Sequence, residues 1–213
     1  WGLNSSLQIY MNTYFWEFKS IMIASFLGIY AMSTFTAFLL IPRLVLFLEK
    51  RSILLFSIAL AALIPPIPII LYINDMLPDS GSWNLFFALA PFIYIGNTCL
   101  SSSAIVRESM LGDISDEVEL ESKIGQQGLM FASSSLIGKL NTGLGILVAG
   151  LALEFIGFPR GSEILPNADQ IFSLAMVQGP FVAVLMIVPF GIFSLYNIDR
   201  QKHNAILSQL DAR

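Results

Sequence analysis

Apolar residues run along this chain in long unbroken blocks instead of alternating with polar ones. Five blocks reach the roughly 20 residues that a helix needs to cross a hydrocarbon layer: Ile21–Phe47, Ser52–Ile73, Leu85–Val106, Gly128–Ile156 and Ile171–Tyr196. Backbone groups in lipid must be paired within their own segment, so each block predicts a transmembrane helix. A shorter block, "LNSSLQIYMNTYFWEF" from Leu3 to Phe18, reads as the end of a helix cut off by the chain start. Its Tyr10, Tyr14, Phe15 and Trp16 suit the headgroup region, where amphipathic rings settle. Pro65, Pro66 and Pro68 in the second full span, and Pro180 and Pro189 in the last, predict kinks, because an interior proline removes a helical hydrogen bond. The chain opens on Trp1 in mid-pattern with no signal peptide, so an N-terminal part is expected to be missing.

Composition sharpens this into an exclusion. Of 213 residues, 55% are hydrophobic and 12% charged, against about 25% charged in a soluble domain. The mean hydropathy is +0.73, so water-soluble classes drop out. One cysteine, Cys99, in an apolar block rules out a disulfide framework or thiolate metal site, and one histidine, His203, rules out a histidine cluster. No enzyme activity, covalently bound cofactor, metal or nucleic-acid partner is expected; the lipid bilayer is the first partner.

Charge then orients the chain. Arg43, Lys50, Arg51, Arg107, Lys123, Arg200, Lys202 and Arg213 fall on one side of the predicted spans, whereas Lys19 and Arg160 fall on the other. The positive-inside rule makes the first side, and the C-terminus with it, cytoplasmic.

One cation breaks the pattern. In "GKLNTGLG" Lys139 lies deep in the fourth full span, roughly 17 Å from its start at 1.5 Å rise per residue. A lysine at helix centre costs about 2.5–3.5 kcal/mol on insertion scales and ordinarily marks a water-filled path or a paired site. Helical spacing puts Gly128, Ala132, Ser135, Thr142, Gly143, Ile146 and Gly150 on its stripe, all small or polar except Ile146, with Leu129, Leu136, Leu140, Leu144 and Leu147 in other directions. The lysine is therefore expected to face protein, with Ser135 and Thr142 as hydroxyl neighbours. Its bland alternative is a lysine paired with a carboxylate only to lock helices. Nothing else at that depth is ionisable, so a carboxylate partner must come from another part of the protein or from a ligand. Asn97, in "YIGNTCLSSS", is the other deep polar residue and reads equally as a ligand contact or as an amide bonding between helices. Trp83, Tyr94 and Tyr30 read first as packing or interface residues, with rings that could also stack on a ring-shaped solute.

The segment "RESMLGDISDEVELESKIGQQG", Arg107 to Gly128, is read as a cytoplasmic loop carrying Glu108, Asp113, Asp116, Glu117, Glu119 and Glu121. Its carboxylates are expected to pair with Arg43, Lys50 and Arg51 in one conformation and release them in another, which makes a gate of Asp113, Asp116, Arg43 and Arg51. Asp113-x-x-Asp116 is also a spacing that can hold Mg²⁺ against a diphosphate, as in a membrane prenyltransferase. The second acidic motif that such an enzyme needs is missing.

"SMLGDISDEVELESKIGQQGLMFASSSLIGKLNTGLGILVAGLALEFIGFP", Ser109 to Pro159, resembles the region from the tenth to the eleventh helix of the glycoside–pentoside–hexuronide:cation symporters. These are the melibiose-carrier-like branch of the major facilitator superfamily. "YMNTYFWEF" resembles the outer end of that family's seventh helix, and "RLVLFLEKR" occupies the loop between its eighth and ninth. The resemblance implies an all-α integral membrane protein, a major-facilitator-type helical bundle, here the C-terminal six-helix half with its first helix truncated. Residues 1–18 would end the seventh helix, 19–199 would hold the eighth to twelfth, and 200–213 would be a cytoplasmic tail. It further implies cation-coupled symport of a sugar or related small polar solute by alternating access, in a bacterial inner membrane. Lys139 and Ser135 would lie at the cation and sugar region, and Asp113 and Asp116 in the cytoplasmic gate. The family's Na⁺- or H⁺-coupling carboxylates lie on the second and fourth helices, in the N-terminal half that would be the partner here. Two positions depart from the family: an arginine usual after the acidic run is absent, and a glutamate before Gly128 is replaced by Gln127. Alternatives to transport are a non-transporting scaffold or sensor of the same fold and, more remotely, the Mg²⁺-dependent transferase.

Overall fold

The computed structural model describes residues 2–159, 165–196 and 208. The tail cations Arg200, Lys202 and Arg213, and Arg160 on the opposite side, lie outside the described residues. Helix α1, Gly2–Tyr10, runs on into a π-helical turn, Met11–Phe15. Then follow α2 (Ser20–Phe47), α3 (Lys50–Leu63), α4 (Pro66–Ile73), α5 (Trp83–Ser122) and α6 (Gln127–Phe155). The last span is α7 (Ala168–Met176), a second π turn (Val177–Phe181), α8 (Val182–Leu185) and α9 (Ile187–Phe193). Five spans are long and apolar enough to cross a membrane: Ser20–Phe47, Lys50–Ile73, Trp83–Ser122, Gln127–Phe155 and Ala168–Phe193. The protein is an all-α, multi-pass integral membrane protein.

Local chemistry explains the joints. The span from Lys50 breaks at Ile64–Pro65 and restarts with Pro66 in the first turn of α4, where a missing N–H costs nothing. Ser82 caps α5 by accepting the Leu85 N–H at 3.1 Å. Asn167 and Gln170 form a reciprocal capping box at the start of α7, with both bonds at 2.9 Å.

The acidic segment corrects the sequence reading: it is not a loop. Helix α5 passes Val106 without a break and ends at Ser122, with Lys123 in the left-handed conformation (φ 62°) closing it on Glu119. From Arg107 to Ser122 the only glycine is Gly112 and there is no proline, and the Glu, Met, Leu and Arg residues favour helix. At 1.5 Å per residue its 40 residues span about 60 Å, twice a hydrocarbon core. Asp113, Asp116 and Glu117 therefore share one helical face.

Helices α2 and α5 pack along their length, α3 lies on α5, and α6 lies mainly on α1. One core joins Leu7, Met11, Met22, Phe26, Leu85 and Leu174, and a second joins Ile41, Ile53, Leu54, Ile58, Val106 and Met110. The rings expected at the headgroup region form a packed cluster. Phe15 and Trp16 are buried against each other and Tyr72, and Tyr10 and Tyr14 meet Phe158 edge-on.

Helices α1 and α6 cross with backbones nearly touching. A Cβ on Gly145 would lie 2.5 Å from the Leu3 nitrogen, and one on Gly2 would lie 2.7 Å from the Thr142 carbonyl oxygen. Since the obstacle is backbone, Gly145→Leu must push the helices apart. We expect a loss of about 1–3 kcal/mol, read as a lower unfolding temperature of the detergent-solubilised protein; an unchanged temperature would mean that the crossing is looser than it looks.

Candidate functional site

At one end of the bundle the first residue of α3 meets the extension of α5. Lys50 Nζ lies 2.7 and 2.8 Å from the two Asp113 carboxylate oxygens, and the Tyr196 hydroxyl donates to Oδ2 at 3.2 Å. Asp113 is only 5% exposed. The ion pair thus ties α3 to α5, and Tyr196 brings in the end of the last span. Arg51, next to Lys50, donates instead to the Ser194 carbonyl, a second tie to the same span.

Of the expected partners Arg43, Lys50 and Arg51, it is Lys50 that pairs with Asp113. Successive helical residues point about 100° apart, so of two adjacent cations one faces α5 and the other the last span. Arg43 is exposed and makes no hydrogen bond or ion pair among the described residues. Asp116 accepts from Gln127 Nε2 at 3.2 Å, which joins α5 to the start of α6. Gln127 thereby gains a physical reason: a glutamate there would set a second carboxylate against Asp116.

Burial first, then the Asp113 charge and the hydrogen bond to it, with Glu117 adding, hold the Tyr196 phenol well above its ordinary range. A folded-state pKa above the unfolded value of 10.0 favours the fold while the phenol stays neutral. That contribution is complete below pH about 10 and is lost as pH rises beyond it. The unfolding temperature of the wild type should therefore fall more steeply above pH about 10 than that of Tyr196→Phe; parallel curves would show that the phenol and Asp113 do not interact.

Lys139 sits on the open surface of α6, with no hydrogen bond or ion pair among the described residues. The helix buries only Ala149 fully, and its packed face runs through Thr142, Gly145 and Ala149, between 60° and 120° round from the lysine. Within this bundle the lysine stripe thus points away from the packed face. Gly128, Gly138, Gly143 and Gly150 have open space where a Cβ would be, so nothing within this bundle requires them to be glycine. Ser135 is exposed on the same surface. Thr142, at the edge of the packed face, donates to the Gly138 carbonyl at 3.0 Å.

Asn97 lies in a polar seam between α2 and α5. Its amide donates to Ser33 Oγ at 2.6 Å, with Thr34 Oγ1 at 3.3 Å and the Tyr30 carbonyl at 3.4 Å. Thr34 and Ser101 hydroxyls meet at 3.1 Å, and those of Tyr94 and Thr36 at 2.5 Å. The Asn97 amide thus bonds between α2 and α5. Trp83 is exposed and packs against Phe86 and Phe87.

A further polar group escaped the sequence reading. Asn4, Gln8 and Asn12 recur every four residues along α1 and its π turn, and Gln178 faces them from the second π turn. Gln178 Nε2 donates to Gln8 Oε1 at 2.7 Å and lies 3.5 Å from Asn4 Oδ1; Gln8 Nε2 donates on to Asn12 Oδ1 at 3.1 Å. The four-residue spacing was visible in sequence, but the partner from the last span was not. Among the described residues no group of three or more His, Cys, Asp or Glu is placed to hold a metal.

The chain matches the family model described as MFS/sugar transport protein over residues 1–200. It is 28% identical over 141 residues to a protein described as an uncharacterized symporter of Synechocystis sp., a match covering 64% of this chain and 25% of that protein. The matched region is thus about a quarter of that relative's length. No solved structure matches the chain.

Proposed function

The chain belongs to the MFS/sugar transport protein family, and from that premise we propose that it is the C-terminal half of a secondary active transporter. It works with an N-terminal six-helix half, which the two rocking halves of alternating access require. The carried solute is a sugar or related small polar molecule, coupled to Na⁺ or H⁺ whose main site lies in the other half. Its membrane is a bacterial inner membrane, with the C-terminus cytoplasmic.

The observation that carries this reading is the surface around Lys139. An ammonium near the middle of a membrane span, on a helix that fully buries only Ala149, faces away from its own bundle. Placed against lipid it would be costly; placed against a second bundle it faces a cavity. The open glycines beside it allow close approach by that bundle. Lys50, Asp113 and Tyr196, with Arg51 and the Asp116–Gln127 bond, then form the cytoplasmic latch that holds three spans together in one state. Arg43, exposed beside them, is free to meet the other half.

Uptake of labelled neutral sugars into proteoliposomes of the full-length protein, driven by an imposed Na⁺ or H⁺ gradient, tests the reading. Gradient-dependent accumulation supports it. Absence of accumulation over a broad solute panel would favour a non-transporting scaffold or sensor.

A further inference from the structure

The polar seam between α2 and α5 has one edge that its own bonds leave unfinished. The Asn97 amide turns its N–H groups toward α2, where Ser33 Oγ, Thr34 Oγ1 and the Tyr30 carbonyl accept. Ser33 gives its own hydrogen to the Tyr30 carbonyl at 2.9 Å, so toward Asn97 it can only accept, which fixes the sense of the amide. Asn97 Oδ1 therefore points the other way, and no described residue donates to it. It is not enclosed: Asn97 is half-buried, and the enclosed side-chain atoms left unpaired among the described residues are Ser115 Oγ and Gln178 Oε1. Beside it Thr34 is exposed and Ser101 half-buried, and one hydrogen bond at 3.1 Å joins their hydroxyls. One hydroxyl hydrogen of that pair is left over, so the open edge presents an acceptor and a donor side by side.

Two placements indicate what this edge meets. On α5 the residues that pack against α3, Val106, Met110 and Asp113, lie roughly 140° to 180° round from Asn97. The Asn97 edge thus opens on the side of α5 turned away from α3. Depth can be measured from the membrane side opposite the Lys50–Asp113 pair. Thr34 and Asn97 each lie 14 residues along their helices from that side, about 21 Å, and Lys139 lies 16 residues along α6, about 24 Å. The seam and the lysine are level, near mid-membrane. An unpaired oxygen at that depth is costly against hydrocarbon and is satisfied where water or solute enters.

A hydroxyl completes both halves of the edge, donating to Asn97 Oδ1 and accepting from the Thr34–Ser101 pair. A carboxylate would set its oxygens against Oδ1, and an ammonium, which only donates, would leave the pair's hydrogen without an acceptor. We propose that Asn97 Oδ1, with the hydroxyls of Thr34 and Ser101, is a binding position for one hydroxyl of the carried solute, an assignment that rests on the transporter reading above. The bonds from Asn97 to Ser33 and between Tyr94 and Thr36 hold the two helices together while this edge stays open.

The test compares a neutral sugar with its deoxy analogues in the full-length carrier. The parent is whichever of glucose, galactose, xylose and lactose the wild type accumulates best. Equilibrium binding of the parent, and of analogues each lacking one hydroxyl, is measured in the wild type and in Thr34→Val/Ser101→Ala, which leaves the Asn97–Ser33 bond in place. Removal of one particular hydroxyl should weaken wild-type binding about 3- to 10-fold, as expected for one hydrogen bond. In the double variant that ratio should shrink toward unity while the other analogues keep theirs. Asn97→Leu should erase the same ratio; because it also breaks bonds between the helices, the double variant decides if it does not fold. Thr36→Val removes a bond between α2 and α5 away from the open edge and should leave every ratio unchanged. If every analogue keeps its wild-type ratio in the double variant, or if Thr36→Val erases the same ratio, the assignment is wrong and the seam only bonds helices. A wild type that accumulates no neutral sugar overturns the transporter reading itself, whereas transport without this coupling overturns only this position.

Discussion

In the full-length protein, Lys139→Ala is expected to abolish gradient-driven solute accumulation while leaving the unfolding temperature unchanged or raised. The two readouts move apart because of where the lysine sits. It makes no hydrogen bond or ion pair among the described residues, so removing it breaks no such bond there. The insertion cost of a central lysine, about 2.5–3.5 kcal/mol, must be offset by what it meets across the cavity. Loss of an interaction of that size corresponds to on the order of 100-fold in affinity for whatever the lysine helps to hold. Lys139→Arg keeps the charge but changes its shape from a compact ammonium to a planar fork, and should restore accumulation only in part. If Lys139→Ala accumulates solute like the wild type, with unchanged cation dependence, the central role is wrong. If instead it unfolds at lower temperature, the lysine is a helix lock and not a transport residue.

How far this surface was legible in the sequence depends on which physical signal each feature leaves. Lys139 was visible because a charge inside an apolar block is locally anomalous. Its direction was not, because a small-residue stripe marks a close approach without saying which neighbour makes it. The closest crossing uses Gly145 and Gly2, off that stripe, while the stripe glycines are left open. Span positions were legible within a few residues wherever hydropathy and helix end together. At Val106 they part: hydropathy reports lipid depth, helix propensity reports backbone, and α5 leaves the apolar block and stays helical to Ser122. Placing Asp113 in a loop hid the fact that it shares a rigid rod with Asn97.

Pairings across the chain were the least legible. Asp113 was marked as a gate residue by its acidic neighbourhood, but nothing local distinguishes Lys50 from Arg51 as its partner. Tyr196 was read as the edge of an apolar span, and its bond to Asp113 reaches across 83 positions. The amides of α1 and Gln178 show the same limit. Asn4, Gln8 and Asn12 share a spacing of four in the first block, but Gln178 lies 170 residues from Gln8, and no local signal connects them. Each half is unremarkable until the fold brings them together.

The second large effect belongs to the Lys50–Asp113 pair. Its side chains are 24% and 7% exposed, so the carboxylate is effectively buried and the ammonium partly wet. Lys50→Leu leaves a buried carboxylate without its counter-charge, and Asp113→Leu leaves a half-buried ammonium facing apolar surface. Breaking one side of a fully buried pair costs about 3–5 kcal/mol; partial exposure of Lys50 puts Asp113→Leu toward the lower end and Lys50→Leu toward the upper. The double variant Lys50→Leu/Asp113→Leu should recover most of that loss, because replacing both charges by apolar groups is often neutral. Stability and transport should then separate. If the pair is a latch that forms in one conformation and opens in the other, the double variant keeps its fold but loses the energy difference between the two states. It should therefore bind solute yet accumulate it poorly, with the cycle biased toward the conformation in which the pair is open. A double variant that is stable and transports at the wild-type rate would show that the pair only fastens α3 to α5. One that is as unstable as the singles would show that the two charges act separately, each with partners of its own. Only recovery of the fold without recovery of accumulation assigns the pair to the conformational cycle, since a static fastening has no reason to be ionic where leucines pack as well.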